Sequence, residues 1–245
     1  LRNSKKINNF SIDLEQKSTF MKKIGLSMVA AAALVFASCG GSGSNTNTSS
    51  EQTVAEAQGD AYAVDLATSK VDWKAFHKGG FAPRWGTLSL TSGELSVADN
   101  NVVAGDFTID MKSLKVDSAS VTEADKKASD LESHLKNADF FDVEKFATAA
   151  FKITKVADLD ATTAKDAIEG ANKTVSGNLT LLDSTVNISF PAKIAVEGDK
   201  VSVAAKFTVN RADWGIKFGT SEGDPAEWMI SKDIEIGIQL NATKK

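Results

Sequence analysis

Val186-Asn187-Ile188-Ser189-Phe190-Pro191-Ala192-Lys193-Ile194-Ala195-Val196, then Glu197-Gly198-Asp199-Lys200, then Val201-Ser202-Val203-Ala204-Ala205-Lys206-Phe207-Thr208-Val209 is the stretch that decides the fold class. Apolar residues fall at every second position on both sides of the four-residue turn: Val186, Ile188, Phe190, Ala192, Ile194 and Val196 before it, Val201, Val203, Ala205, Phe207 and Val209 after it. Period two places all of these on one face of a strand. A Gly-Asp turn of this length joins antiparallel neighbours, because parallel pairing needs a crossover the chain has no room for.

The same alternation extends outward in both directions from Tyr62 onward. It is legible in Val71 to Phe76, Gly86 to Leu90, Glu94 to Val97, Val103/Phe107/Ile109, Phe151/Ile153, Val175/Leu179/Leu181 and Ile234/Ile236/Ile238/Leu240. Leu182-Asp183-Ser184-Thr185 supplies another short turn. One segment breaks the pattern: Ser120 and Glu123 have capping-box spacing, and Ala124, Ala128, Leu131 and Leu135 recur at helical intervals, predicting an amphipathic helix over 121–136. One-sided strands in this number expose edges and a dry face unless the sheet closes. The expected fold is therefore all-β, an antiparallel up-and-down barrel of about eight strands with one amphipathic helix between strands. A two-sheet sandwich remains the alternative, since alternation alone is shared by both.

The first 60 residues read differently. Met21-Lys22-Lys23 followed by the apolar run Ile24 to Ser38 has the three parts of a secretory signal, so 21–38 is expected to be a signal peptide. That run is shorter than the about 20 apolar residues a spanning helix needs. Residues 1–20 are polar, lie upstream of that methionine and are expected to be non-native. Phe36-Ala37-Ser38-Cys39 resembles a lipobox, which makes Cys39, the single cysteine, the expected site of lipid attachment. Residues 39–60, rich in Gly, Ser, Asn and Thr, are expected to form a flexible tether, and 61–245 the folded domain.

Charge and motif content narrow the function. The chain carries 28 Lys/Arg against 32 Asp/Glu, and from Cys39 onward the net charge is near −8, which repels phosphate backbones and argues against nucleic-acid partners. One cysteine and two histidines, His77 and His134, offer no metal site, and no HExxH or P-loop pattern occurs. His134 suits a helix C-terminus and His77 a barrel rim. The carboxylate pairs Asp139/Asp142 and Glu222/Asp224 read as solvated loop charges. Arg211 with Asp213 reads first as a tie between a turn and the barrel end, second as a clamp for a ligand headgroup. Asn-x-Ser/Thr triplets such as those at Asn172, Asn187 and Asn241 read as chance matches.

Several segments resemble one known family. His134-Leu135-Lys136-Asn137-Ala138-Asp139-Phe140-Phe141-Asp142 looks like the HL-x-(S/N)-x-DFFD segment of YceI-like proteins. Gly105-Asp106-Phe107-Thr108-Ile109-Asp110, Val175-Ser176-Gly177-Asn178-Leu179-Thr180 and Asn210-Arg211-Ala212-Asp213-Trp214-Gly215 resemble that family's G-x-F-x-ID, V-x-G-x-LT and R-x-DFG segments, in order. Trp214 departs from the usual Phe, and Phe81-Ala82-Pro83-Arg84-Trp85 stands where a small polar loop is common. The resemblance implies a lipocalin-like barrel of the bacterial envelope that binds a polyisoprenoid, a quinone tail or a fatty acyl chain. On that basis the expected ligand-binding wall is Trp73, Phe107, Ile109, Phe151, Ile153, Leu179, Leu181, Phe207, Val209 and Trp214.

Together these readings give a non-enzymatic, periplasm-facing lipoprotein. It is held to the membrane by its N-terminal lipid and has no cofactor beyond a bound isoprenoid or fatty acid. Two rivals stay open: a filled barrel that acts through its acidic surface and helix in stress response or protein contact, and an enzyme on a lipid-like substrate through His77 or Arg211.

Overall fold

Val, Ile and Phe at alternate positions, with short Gly/Asp turns between runs, lead to ten strands and one short helix in the computed structural model, which describes residues 46–160, 164, 167–223, 225 and 228–245. The strands are β1 (Asn47–Ser50), β2 (Asp60–Val64), β3 (Lys70–His77), β4 (Arg84–Ala98) and β5 (Asn101–Val116). After helix α1 (Ala128–Lys136) come β6 (Thr148–Asp158), β7 (Lys173–Leu181), β8 (Ser184–Glu197), β9 (Lys200–Asn210) and β10 (Ile230–Lys244). The expected signal peptide, the upstream segment and Cys39 lie outside the described residues.

All pairings are antiparallel, and they close on themselves. β4 through β8 form a meander; β9 pairs with both β8 and β10. β10 then returns to β4 through β2 at one end of the barrel and β3 at the other. β2 and β3 thus act as one broken staff, giving eight around the wall, and the sandwich alternative falls. Closure gives each of the eight staves a neighbour on both sides. Turns 99–100 and 198–199 lie at one end; the 78–83 loop, the segment 117–147 that carries α1, and the described residues between β9 and β10 gather at the other.

Three sequence expectations are corrected. The predicted helix over 121–136 begins only at Ala128, and its N-cap, Lys127, makes no side-chain cap. Ser120 instead ends a 3-10 turn and donates its hydroxyl to Asp117 O (2.7 Å), while Glu123 is taken by Arg84 Nη2 at 2.6 Å. The capping box is therefore broken by a cation 39 residues away. On β5, Val102 rather than Val103 is buried, because the β4–β5 register slips between Ser96 and Val97 and changes the phase of the alternation.

The third correction concerns the expected tether. Asn47–Ser50 pairs with β8 between Val186 and Ser189, the part of β8 that β9 leaves uncovered. The chain then exchanges two hydrogen bonds with Asn178, Gln52 N–H to Oδ1 (3.0 Å) and Nδ2 to Gln52 O (2.7 Å). It next donates Ala55 N–H to Ile153 O (2.9 Å), beside the β6 bulge. Polar composition that reads as flexible here supplies backbone partners for a polar outer wall. Asn187, one of the glycosylation triplets, is buried under this strap and donates to Asn178 Oδ1 and Thr154 Oγ1.

Gly177, in the V-x-G-x-LT segment, has a steric reason. A Cβ there would stand 2.3 Å from Phe151 Cζ and 2.9 Å from Lys152 O, so the Phe151 ring occupies the space a side chain would need. Gly177→Ala is expected to cost about 1–3 kcal/mol through overpacking, lowering Tm by roughly 3–10 °C in a thermal melt. Phe151→Leu in the same chain is expected to recover part of that loss.

Candidate functional site

Inside the wall the alternate positions of eight strands point at one another. Facing pairs set the layers: Phe107 opposite Phe151, Ile109 opposite Ala149, Val209 opposite Ile234, Phe207 opposite Ile236 and Val203 opposite Leu240. Phe190 and Phe207 stack at 4.0 Å between ring centroids, and both Phe190 and Phe107 pack against Phe151. These side chains do not fill the interior. A cavity of about 560 Å³ remains, within the range of small-molecule sites, and its lining is almost wholly aliphatic and aromatic.

Of the expected wall, Trp73, Phe107, Ile109, Phe151, Ile153, Leu179, Leu181, Phe207 and Val209 line this cavity. Trp214 does not. Its ring is 1% exposed and its indole N–H donates to Leu179 O (2.9 Å), so it seals the wall next to the cavity instead of facing it. The alternation rule cannot place it, because Trp214 lies in the 3-10 turn Arg211–Trp214 just past β9. Sequence reasoning also missed Leu88, Leu90, Met111, Phe140 and Phe141, which line the cavity. The last two were visible as part of the DFFD segment, but no periodicity marks their direction.

One end of the cavity differs from the rest. Arg84, Asp125, Lys126, Lys127, Asp130, His77, His134 and Arg211 gather there under α1 and the adjoining loops, while the far end, around Leu95, Val102, Val203 and Ile194, is apolar. Arg211 is 3% exposed and donates to four backbone carbonyls: Ser231 O (3.0 Å), Ile216 O (3.0 Å), Phe218 O (2.7 Å) and Ile230 O (3.4 Å). Its guanidinium lies 5.7 Å from the Phe140 ring centre. Burial pulls its pKa down to about 10. It thus ties the 211–218 turn to the start of β10. Asp213 makes no bond to it in that tie, and burial, followed by the neighbouring Asp233, raises the Asp213 pKa.

The other candidate groups are spoken for or remote. His134, in the last turn of α1, has Nε2 3.1 Å from Asp139 Oδ2 and meets Phe140 and Phe218 edge-on. Asp142 does not line the cavity, and Asp224 lies outside the described residues. Among the described residues no cluster of His, Cys, Asp and Glu could hold a metal ion. His77, by contrast, lies at the end of β3 and lines the cavity.

Comparison with known proteins agrees with this architecture. The family model described as the YceI-like domain matches residues 62–242. Protein YceI of Salmonella arizonae is 32% identical over 151 residues, covering 58% of this chain and 70% of that protein. A UPF0312 protein of Pseudomonas putida is 29% identical over 175 residues, 69% of this chain and 79% of its own length. Among solved structures, Burkholderia cenocepacia BcnA superposes with a TM-score of 0.53 at 19% identity, covering 74% of this chain and 99% of that one. A polyisoprenoid binding domain from Saccharophagus degradans superposes with a TM-score of 0.50 at 13% identity, covering 76% and 99%. At those identities the likeness is one of fold.

The Arg84–Glu123 pair that closes the polar end carries a pH signature. The Glu123 pKa is lowered from 4.5 to about 2, first by its own backbone N–H and then by the Arg84 guanidinium. A carboxylate with a depressed folded-state pKa contributes stability above its ordinary value and loses it as pH falls through the folded value. Glu123→Gln is therefore expected to melt below the parent protein at pH 7, with the gap closing between pH 4.5 and 2 when Tm is followed by circular dichroism.

Proposed function

The chain belongs to the YceI-like domain family, and on that premise we propose that its barrel holds one long apolar chain, a polyisoprenoid, a quinone tail or a fatty acyl group, for sequestration or carriage in the bacterial envelope. The observation that carries this reading is the cavity of about 560 Å³ with its almost wholly apolar lining. Each methylene moved from water into such a lining gains about 0.8 kcal/mol. Ten of them approach the roughly 8 kcal/mol of a micromolar complex before the cost of association is subtracted. Affinity then needs no charged contact.

Two further observations favour this reading over its rivals. A barrel that worked only through its outer surface would gain from a filled interior, whereas this one keeps space at its axis. Of the two groups considered for catalysis, His77 and Arg211, the guanidinium is engaged with backbone carbonyls. The solved Saccharophagus degradans relative is itself described as a polyisoprenoid binding domain. Acylation of Cys39, export and a periplasm-facing position complete the proposal, resting on the signal-like run 21–38.

Organic extraction of the full chain purified from a bacterial host, followed by mass spectrometry, is expected to release one prenyl or acyl lipid per protein. An empty extract, with no uptake of a fluorescent octadecanoyl probe, would defeat the reading. Ala149→Phe, which projects a ring into the cavity from β6, is expected to weaken probe binding at least tenfold while leaving the far-ultraviolet circular dichroism spectrum unchanged. Mass spectrometry of the N-terminal peptide of the same preparation, before and after alkaline hydrolysis of ester-linked acyl chains, tests Cys39: mature protein starting at an unmodified residue other than Cys39 would refute the anchor.

A further inference from the structure

The polar end of the cavity contains a group with no partner. His77 closes β3, opposite Ile230 of β10, and is fixed there by its backbone: its N–H donates to Phe81 O (3.0 Å) and its carbonyl accepts from Gly80 N–H (3.0 Å). The ring stacks on Phe81, with centroids 5.2 Å apart and planes inclined by 28°. That stack holds the imidazole against the cavity. Its Nδ1 is shielded from solvent and meets no hydrogen-bonding atom of the protein. Buried polar atoms in folded proteins nearly always have a partner, and an exception next to a cavity points to something that enters it.

From this we infer that His77 Nδ1 binds the uncharged oxygen head, a hydroxyl or a carbonyl, of the long-chain ligand, whose tail runs toward Leu95 and Val203. The inference rests on the proposed ligand-carrying role of the cavity and adds the direction and head chemistry of the ligand. A neutral imidazole nitrogen meets either oxygen type, accepting from a hydroxyl or donating to a carbonyl according to tautomer. An anionic head fits less well. Arg84 is committed to Glu123 and Ser120 O, Lys126 to Glu123, and Arg211 to carbonyls, while Lys127 shares the rim with Asp125 and Asp130. A phosphate or carboxylate there would face two acids and displace existing bonds.

Three probes of one chain length separate the terms: geranylgeraniol, the matching hydrocarbon in which hydrogen replaces the hydroxyl, and geranylgeranyl phosphate. Binding is measured by tryptophan quenching on the full chain. The parent protein is expected to bind the alcohol about tenfold more tightly than the hydrocarbon, and the phosphate no more tightly than the alcohol. His77→Phe, which keeps the stack on Phe81, is expected to bind alcohol and hydrocarbon alike at the parent's hydrocarbon affinity. His77→Asn, which returns a polar atom near the Nδ1 position, is expected to recover part of the preference. Equal binding of alcohol and hydrocarbon by the parent, a preference that survives in His77→Phe, or a phosphate held tenfold more tightly would each overturn the inference and leave the carrier reading intact. Failure of the parent to bind any of the three would bring down both.

Discussion

Closure of the hydrogen-bonded wall is the constraint on which the rest of this protein depends. β10 is the strand that makes it possible: it pairs with β9 along eleven positions on one side and with β2 and β3 in succession on the other. Because each of the eight staves is paired with a neighbour on both sides, the inward face is fixed in position by backbone geometry and need not be packed solid to be stable. An open sheet with the same side chains would have to collapse on its own dry face. Here the wall bears the load, and the axis is left with room for about 560 Å³ of something else.

The segments shared with the family acquire distinct physical roles within that wall. Gly105 and Gly177 make space: a Cβ on Gly105 would stand 3.0 Å from Ile153, Leu95 and Phe107 side-chain atoms, so both glycines accommodate the rings and branches around them. The DFFD and R-x-D-W-G segments, far apart in sequence, meet at one barrel end, where the Arg211 guanidinium lies over Phe140. Arg211 thereby fixes the connection into β10 using four carbonyls and an aromatic face, without a buried carboxylate. Pairing of that kind avoids the desolvation of a second charge.

Much of this was legible before any coordinates, for reasons that differ by residue. Val186 to Val209 alternate without interruption, so their strands, their turn and their shared face follow from period two alone. Phe107, Ile109 and Phe151 could be directed inward for the same reason. Val103 could not, because a register slip between Ser96 and Val97 leaves no trace in composition. Ser120 and Glu123 misled because a local capping pattern competes with Arg84, whose proximity is created by the β3–β4 hairpin. Trp214 sits past the end of periodic structure, and the His77 side chain, at a strand terminus, has a direction set by its stack on Phe81 rather than by the pleat.

The strap formed by residues 47–55 bears on the reach of the proposed anchor. Were Cys39 acylated, the eight residues from it to Asn47 would reach at most roughly 26–29 Å fully extended, about the thickness of a bilayer's hydrocarbon core. A chain free as far as Asp60 would reach more than twice as far. An acylated chain bound in this way along β8, β7 and β6 would trade roaming distance for standing close to the lipid reservoir, where a hydrophobic molecule has the least water to cross.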